Sequence, residues 1–127
     1  QNYIVFVNSA GTTAGAIRQT GTTATTYATS SDYRLKENVV DLDGAIDRVK
    51  QLQPKRFNFI ADVGTTVDGF LAHEAQTVVP EAVIGEKDGE EMQGIDPSKL
   101  VPLLTAALKE AIAKIETLES EVASLKG

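Results

Sequence analysis

From Val101 to Leu125 the chain places an apolar residue every three and four positions in turn: Val101, Leu104, Leu108, Ala111, Ile115, Leu118, Val122 and Leu125. This is a heptad seam held without a slip, and it commits the C-terminal end to one long helix. Asp96 and Pro97 mark its start, a capping residue followed by proline at the first helical position. Pro102 still lies near the first turns, so the helix can run unbroken to Lys126, about 45 Å from its start. With 101, 108, 115 and 122 as a positions, Lys114 and Glu121 fall at g, and Glu119 and Lys126 at the following e. In a parallel, in-register coiled coil each g meets the next e of a neighbour. Both meetings are of opposite sign here, which favours parallel self-association. Val and Ile at a with Leu at d would favour two strands. Leu108 at a, Ala111 at d and Ile112 at e widen the apolar face and suit three. The alternative is an amphipathic helix lying on its own domain. It applies best to residues 97–112, whereas the narrow stripe over 113–126 favours self-association.

The opposite end of the chain differs in character. Residues 1–30 hold one charged side chain, Arg18, among many Thr, Ala, Gly and Ser. Tyr3–Val7 reads as a strand closed by the turn signal Asn8–Gly11, and Ala16–Gln19 as a second closed by Gly21. Thr22–Thr29 favours a strand but has little to bury. Such a segment is either a disordered linker or a strand set completed by copies of itself from other chains. Between the two ends the pattern is mixed. Apolar residues at 42, 45, 46, 49 and 52 predict a helix over 43–52, stopped by Pro54. Lys55–Ile60 reads as a strand and Asp62–Thr66 as a loop. Asp68–Ala72 reads as a short buried strand, His73–Val79 as one or two helical turns, and Ala82–Ile84 as a strand. Gly85–Gly94 reads as a polar hairpin loop.

Bulk properties exclude several function classes. The net charge of −6 argues against a nucleic-acid partner, which calls for a basic patch. No apolar run approaches the ~20 residues of a membrane span. With no Cys and one His, thiol chemistry is excluded and no metal or other cofactor is expected. The start at Gln1 lacks a basic n-region and reads as the inside of a longer chain.

Chemistry concentrates where the two characters meet, at Ser31-Asp32-Tyr33-Arg34-Leu35-Lys36-Glu37-Asn38. A Ser and a Lys form a minimal pair for nucleophilic attack on an amide: a neutral amine takes the hydroxyl proton and the oxygen attacks a carbonyl. The Lys must lose its proton near neutral pH, which burial and nearby positive charge promote. Arg34 is a candidate source of that charge. The carbonyl in easiest reach of Ser31 is that of Ser30. Attack there forms an ester that water opens, leaving a new N-terminus at Ser31. The Ser31–Asp32 bond is a second possible target. Backbone N–H groups near the boundary are the default oxyanion donors. A Ser and a Lys five apart also occur by chance on many surfaces, so the pair by itself is a weak signal.

The wider pattern resembles a known family. Ser31–Val39 is similar to the signature that opens the intramolecular chaperone domain of phage tail spikes, tail fibres and neck appendages. This is a self-cleaving serine peptidase group of which the endosialidase tail spikes are well-known members. Leu52-Gln53-Pro54 with Phe57-Asn58-Phe59 resembles the family's turn and strand. Gly69–Glu74 and Val79–Val83 resemble its central motif. Ile95–Leu104 with Ala107–Glu110 resembles the start of its helix. The likeness covers residues 31–126, and residues 1–30 look like the end of a β-rich fibre shaft. The resemblance implies an α+β, trimeric fold. Intertwined N-terminal strands would precede a small mixed body over 31–95 and a long helix, 96–126, in a parallel coiled-coil bundle. It implies that Ser31 is the nucleophile, Lys36 its base, and Ser30–Ser31 the favoured cleavage site. The trimer seam would be Leu104, Leu108, Ala111, Ile115, Leu118, Val122 and Leu125. The implied partners are two further copies of the chain and the upstream shaft, with no nucleic acid and no membrane. The implied setting is a tail-fibre precursor assembled in the bacterial cytoplasm, its chaperone domain absent from the mature virion. The alternatives are a retained fibre tip with an inactive dyad, or the related domain that releases membrane-tethered transcription factors. His73, where other members carry Gln, receives no catalytic role.

Overall fold

A three-stranded antiparallel sheet and a small body on one long helix make up the computed structural model, which describes residues 2–127. The architecture is α+β, and the chain divides between Val40 and Asp41 into two units. In the first, β1 (Asn2–Val7), β2 (Thr13–Thr20) and β3 (Ala24–Thr29) pair in that order. Asn8 closes the first turn by accepting hydrogen bonds from the Ala10 and Thr12 amides on Oδ1. Gly11 at φ 81° supplies the left-handed residue that this turn requires. The middle strand is longer than the Ala16–Gln19 segment expected. The Thr-rich segment is a strand from Ala24 onward and not a linker.

This sheet has almost nothing to pack against within its own unit. Ala16 is its one buried apolar residue among those described, while Tyr3, Ile4, Val5, Phe6 and Val7 are exposed on both faces and Tyr27 is 78% exposed. A few strands without a covered face are marginal in water. The expectation that residues 1–30 cannot build a core agrees with this exposure.

The second unit has a core of Ala45, Val78, Val79, Ala82, Leu100, Leu103 and Ala107. Around it run α1 (Ala45–Val49), β4 (Lys55–Phe57), β5 (Val67–Gly69), α2 (Ala72–Gln76), β6 (Val83–Ile84), β7 (Gly94–Ile95) and α3 (Val101–Lys126). β4 pairs with β5 and β6 with β7, both antiparallel. Several elements are shorter than the periodicity implies. The helix expected over 43–52 is α-helical only from Ala45 to Val49, because Gly44 adopts φ 63° before it and tighter turns carry the chain on to Leu52. The strand expected over 55–60 ends at Phe57, and Ala72 opens α2 instead of closing a strand. Asp96 does cap a helical start, accepting from the Ser98 amide. The first turn it caps, Pro97–Leu100, is a 3-10 turn, and the α-helix proper begins at Val101.

Helix α3 packs on the body, but not through its heptad seam. Leu103 (2% exposed) and Ala107 face the core, while Leu108 (62%) and Leu118 (58%) stay in solvent with Val101, Leu104, Ile112, Ile115, Val122 and Leu125. At about 100° per residue the two apolar stripes lie on adjacent faces. Ala111, half-buried, sits at their border. Glu110 fixes the packing of α1 on α3: its carboxylate oxygens accept from the Ala45 amide at 3.1 Å and the Ile46 amide at 2.7 Å. These backbone bonds, Ile46 first, hold the Glu110 carboxyl below its ordinary value of 4.5.

A carboxyl lowered by folding stabilises the fold above its unfolded value, and that contribution is lost as pH falls through the folded value. The urea midpoint of the wild-type chain should therefore drop between about pH 5 and 3. Glu110→Gln should have a lower midpoint at pH 7 and a shallower loss across that window. Equal slopes for the two chains would show that the Glu110 contact carries no such linkage.

Candidate active site at the Ser31–Lys36 turn

The backbone positions Ser31 from two sides. Upstream, Ser30 extends the β3 pairing by one residue: its amide donates to the Ala14 carbonyl at 2.8 Å, and its hydroxyl donates to the Thr13 carbonyl at 2.7 Å. Downstream, Tyr33–Leu35 form a 3-10 turn capped by Asp32, whose Oδ1 accepts from the Arg34 amide at 2.9 Å. The Leu35 amide donates to the Asp32 carbonyl and the Lys36 amide to the Tyr33 carbonyl, each at 3.1 Å. This one turn carries Lys36 back over Ser31. The Lys36 Nζ lies 2.6 Å from the Ser31 Oγ and donates to it.

That distance is short enough for proton transfer in either direction. With the amine neutral, the hydroxyl would donate instead and its oxygen would be readied for attack. Both side chains are exposed. Arg34, the expected source of positive charge, is engaged with Asp32. Its guanidinium grips Asp32, Nε on Oδ1 at 2.9 Å and Nη2 on Oδ2 at 3.0 Å, so its charge is answered locally. The pair holds the Asp32 carboxyl below its ordinary value, through the Arg34 side chain first and the Arg34 amide second. The amides of Arg34, Leu35 and Lys36 are all committed to the turn. An oxyanion would need other donors than these three.

Of the residues expected at the site, Ser30, Ser31 and Lys36 are thus brought together. The seam residues Leu104, Leu108, Ala111, Ile115, Leu118, Val122 and Leu125 lie along α3 in the other unit. Sequence reading missed two supports. One is the anchoring of Ser30 on β2, which pairs positions far apart in sequence. The other is the cap-and-fork arrangement of Asp32 and Arg34. For this a signal was present, since Asp ahead of a tight turn commonly bonds the backbone two residues on. His73 lies elsewhere, in a shallow apolar groove of the second unit with Phe57, Phe59 and Phe70.

Comparison with known proteins follows the same boundary. Residues 31–84 match the family model described as "Chaperone of endosialidase". Over those residues the chain is similar to the chaperone-of-endosialidase family. Curated relatives include the Long tail fiber protein Gp37 of Enterobacteria phage K3 and that of Enterobacteria phage T2, each 31% identical over 98 residues. The alignment takes in 72% of this chain but only 8% and 7% of the two relatives, respectively. The chain therefore spans a small part of the length of these tail-fibre proteins. The family match opens at Ser31, the residue at which the sheet ends and the capped turn begins.

The anchoring of Ser30 has a direct test. A Cβ at Gly15 would stand 2.5 Å from the Ala28 carbonyl oxygen on β3, so β2 and β3 must separate to admit one. Overpacking of this kind costs about 1–3 kcal/mol. Gly15→Ala should speed hydrogen exchange at the Ser30 amide by about tenfold or more. Unchanged exchange would mean that the sheet does not hold Ser30.

Proposed function

We propose that this domain is an intramolecular trimerisation chaperone for a phage tail fibre or tail spike, released by its own Ser31–Lys36 dyad. The observation that carries the reading is the 2.6 Å contact between Lys36 Nζ and Ser31 Oγ, made within the stretch where the family match opens. Lys36, as the neutral amine, would take the Ser31 hydroxyl proton while Oγ bonds to the Ser30 carbonyl carbon. Collapse of that adduct breaks the Ser30–Ser31 C–N bond, and the proton passes from Lys36 to the leaving Ser31 amine. Water then hydrolyses the ester. This leaves a Ser30 carboxylate and a chain that begins at Ser31, its hydroxyl regenerated. Each chain would turn over once.

Trimerisation is supported by two surfaces that the single chain leaves uncovered. One is the sheet of residues 2–29, with its exposed Tyr3–Val7. The other is the seam of α3, where Ile115, Leu118, Glu119 and Val122 border a hollow of the kind a facing side chain fills. Three parallel α3 helices would hold the shaft strands of sister chains together and raise their effective concentration. Cover from a sister chain would also desolvate the exposed dyad, and burial favours the neutral amine. Cleavage would then follow assembly and make it kinetically one-way. The domain would act on a virion tail-fibre precursor in the host cytoplasm and be absent from the mature fibre.

Intact mass after expression tests the chemistry. The wild type should split next to Ser31, while Ser31→Ala and Lys36→Ala stay whole. A wild type that stays whole as a trimer would instead indicate a retained fibre tip. Native mass spectrometry tests the assembly. The uncleaved Ser31→Ala chain should be a trimer, and adding Leu108→Lys and Leu118→Lys should leave monomers. The same two lysines in the wild type should slow cleavage by tenfold or more, as about 1.4 kcal/mol of lost coupling would. Full-rate cleavage by a monomer would refute the link between assembly and cutting.

A further inference from the structure

The cap that builds the dyad creates an electrostatic difficulty for it. Asp32 caps the turn by accepting the Arg34 amide, yet a carboxylate near the Lys36 amine favours the ammonium form, which is no base. Asn or Ser would cap the turn without the charge. The chain instead uses Asp and covers both of its oxygens with the Arg34 guanidinium fork. We propose that Asp32 and Arg34 are the positioning pair of the dyad. Asp32 shapes the turn that returns Lys36 to Ser31, and Arg34 cancels the carboxylate charge that this leaves beside the amine.

This rests on the self-cleavage reading and adds to it residues that touch neither the scissile bond nor the attacking oxygen. The charge balance is local. The remaining ionisable side chains of residues 1–40 are Tyr3, Arg18, Tyr27, Tyr33 and Glu37. Tyr3 bonds Gln19 on the sheet, and Arg18 lies four residues along β2 from Ala14, about 13 Å away at strand spacing. Tyr27 lies in β3 and Tyr33 in the turn. Glu37, exposed and next to Lys36, is the other carboxylate of the segment. It is present in every variant below and so drops out of their comparison. Of the two neighbours that perturb the Asp32 carboxyl, Arg34 contributes more than Lys36. The fork occupies both Asp32 oxygens.

The test is the pH profile of cleavage. Uncleaved chain recovered in denaturant is diluted into low-salt buffers from pH 6 to 10, and the cleaved fraction is followed by intact mass, with Ser31→Ala as the blank. Native mass spectrometry at each pH restricts the comparison to chains in the same assembly state. Arg34→Met should move the midpoint of the profile to higher pH by about half a unit. Asp32→Asn, which keeps an oxygen for the cap, should move it to lower pH by a similar amount. Asp32→Asn with Arg34→Met should restore the wild-type midpoint, and Arg34→Lys should keep it. All shifts should shrink in high salt. A merely structural role would lower rates and leave every midpoint in place. Coincident midpoints in a wild type that does cleave would overturn the pair's role alone. A trimeric wild type that never cleaves would overturn the self-cleavage reading and this inference with it.

Discussion

Helix α3 carries two apolar stripes, and a single chain can cover only one of them. Leu103 and Ala107, with Leu100 just ahead of the helix, turn toward the body and make the largest part of its core with Ala45, Val79 and Ala82. The neighbouring stripe from Leu104 to Leu125 has no counterpart in its own unit. Past Ala113 the helix has left the body, and its side chains are exposed on all sides. A helix in that state is held by its hydrogen bonds and propensity alone, which is marginal for an isolated segment in water. The body fixes the first half of α3 and leaves the seam of the second uncovered. Ala111 lies where the stripes meet, and its small side chain lets one helix turn serve both faces.

Glu110 shows how closely the first half is specified. It lies on α3 beside the core-facing stripe and reaches the first amides of α1, 65 residues earlier in the chain. A five-residue helix behind a left-handed glycine has no side-chain cap of its own. Without that carboxylate the Ala45 and Ile46 amides would face a partly buried space unpaired, which is costly. α1 therefore exists as a helix because α3 is placed to receive it. The placement of α3 also sets where the seam points.

Much of this was legible in the residues. The heptad spacing located the long helix to its last turn, and Asp96 was recognisable as a cap. The scarcity of buried residues among the described part of 1–30 followed from their Thr-rich, low-charge composition. The site was legible as a pair because Ser31 and Lys36 lie within one turn of each other, where local geometry dominates. What could not be read were features fixed by distant contacts. The seam residues Val101, Leu104 and Leu108 look no different in sequence from Leu103, which the body buries. Periodicity alone does not say which of two adjacent stripes a body will take. The Glu110 cap and the anchoring of Ser30 on Thr13 and Ala14 depend on tertiary placement. The short helix α1 was overestimated because its apolar period continues through turns that are not α-helical.

The geometry of the dyad also bears on what kind of peptidase this would be. Ser31 and the carbonyl it would attack belong to consecutive residues, so the nucleophile is tethered to its substrate and no cleft is needed to bind one. Proximity of this kind replaces much of the entropy that an intermolecular protease must recover through binding. What remains is control, since a tethered pair that was always competent would cut before the fibre had formed. In the single chain the two side chains already touch, so alignment is not the missing element. What the open turn lacks is burial, since both side chains are exposed. Folding of one chain builds the contact. On the self-cleavage proposal, burial by a second or third chain would make it reactive, and the timing of cleavage would then belong to assembly and not to folding.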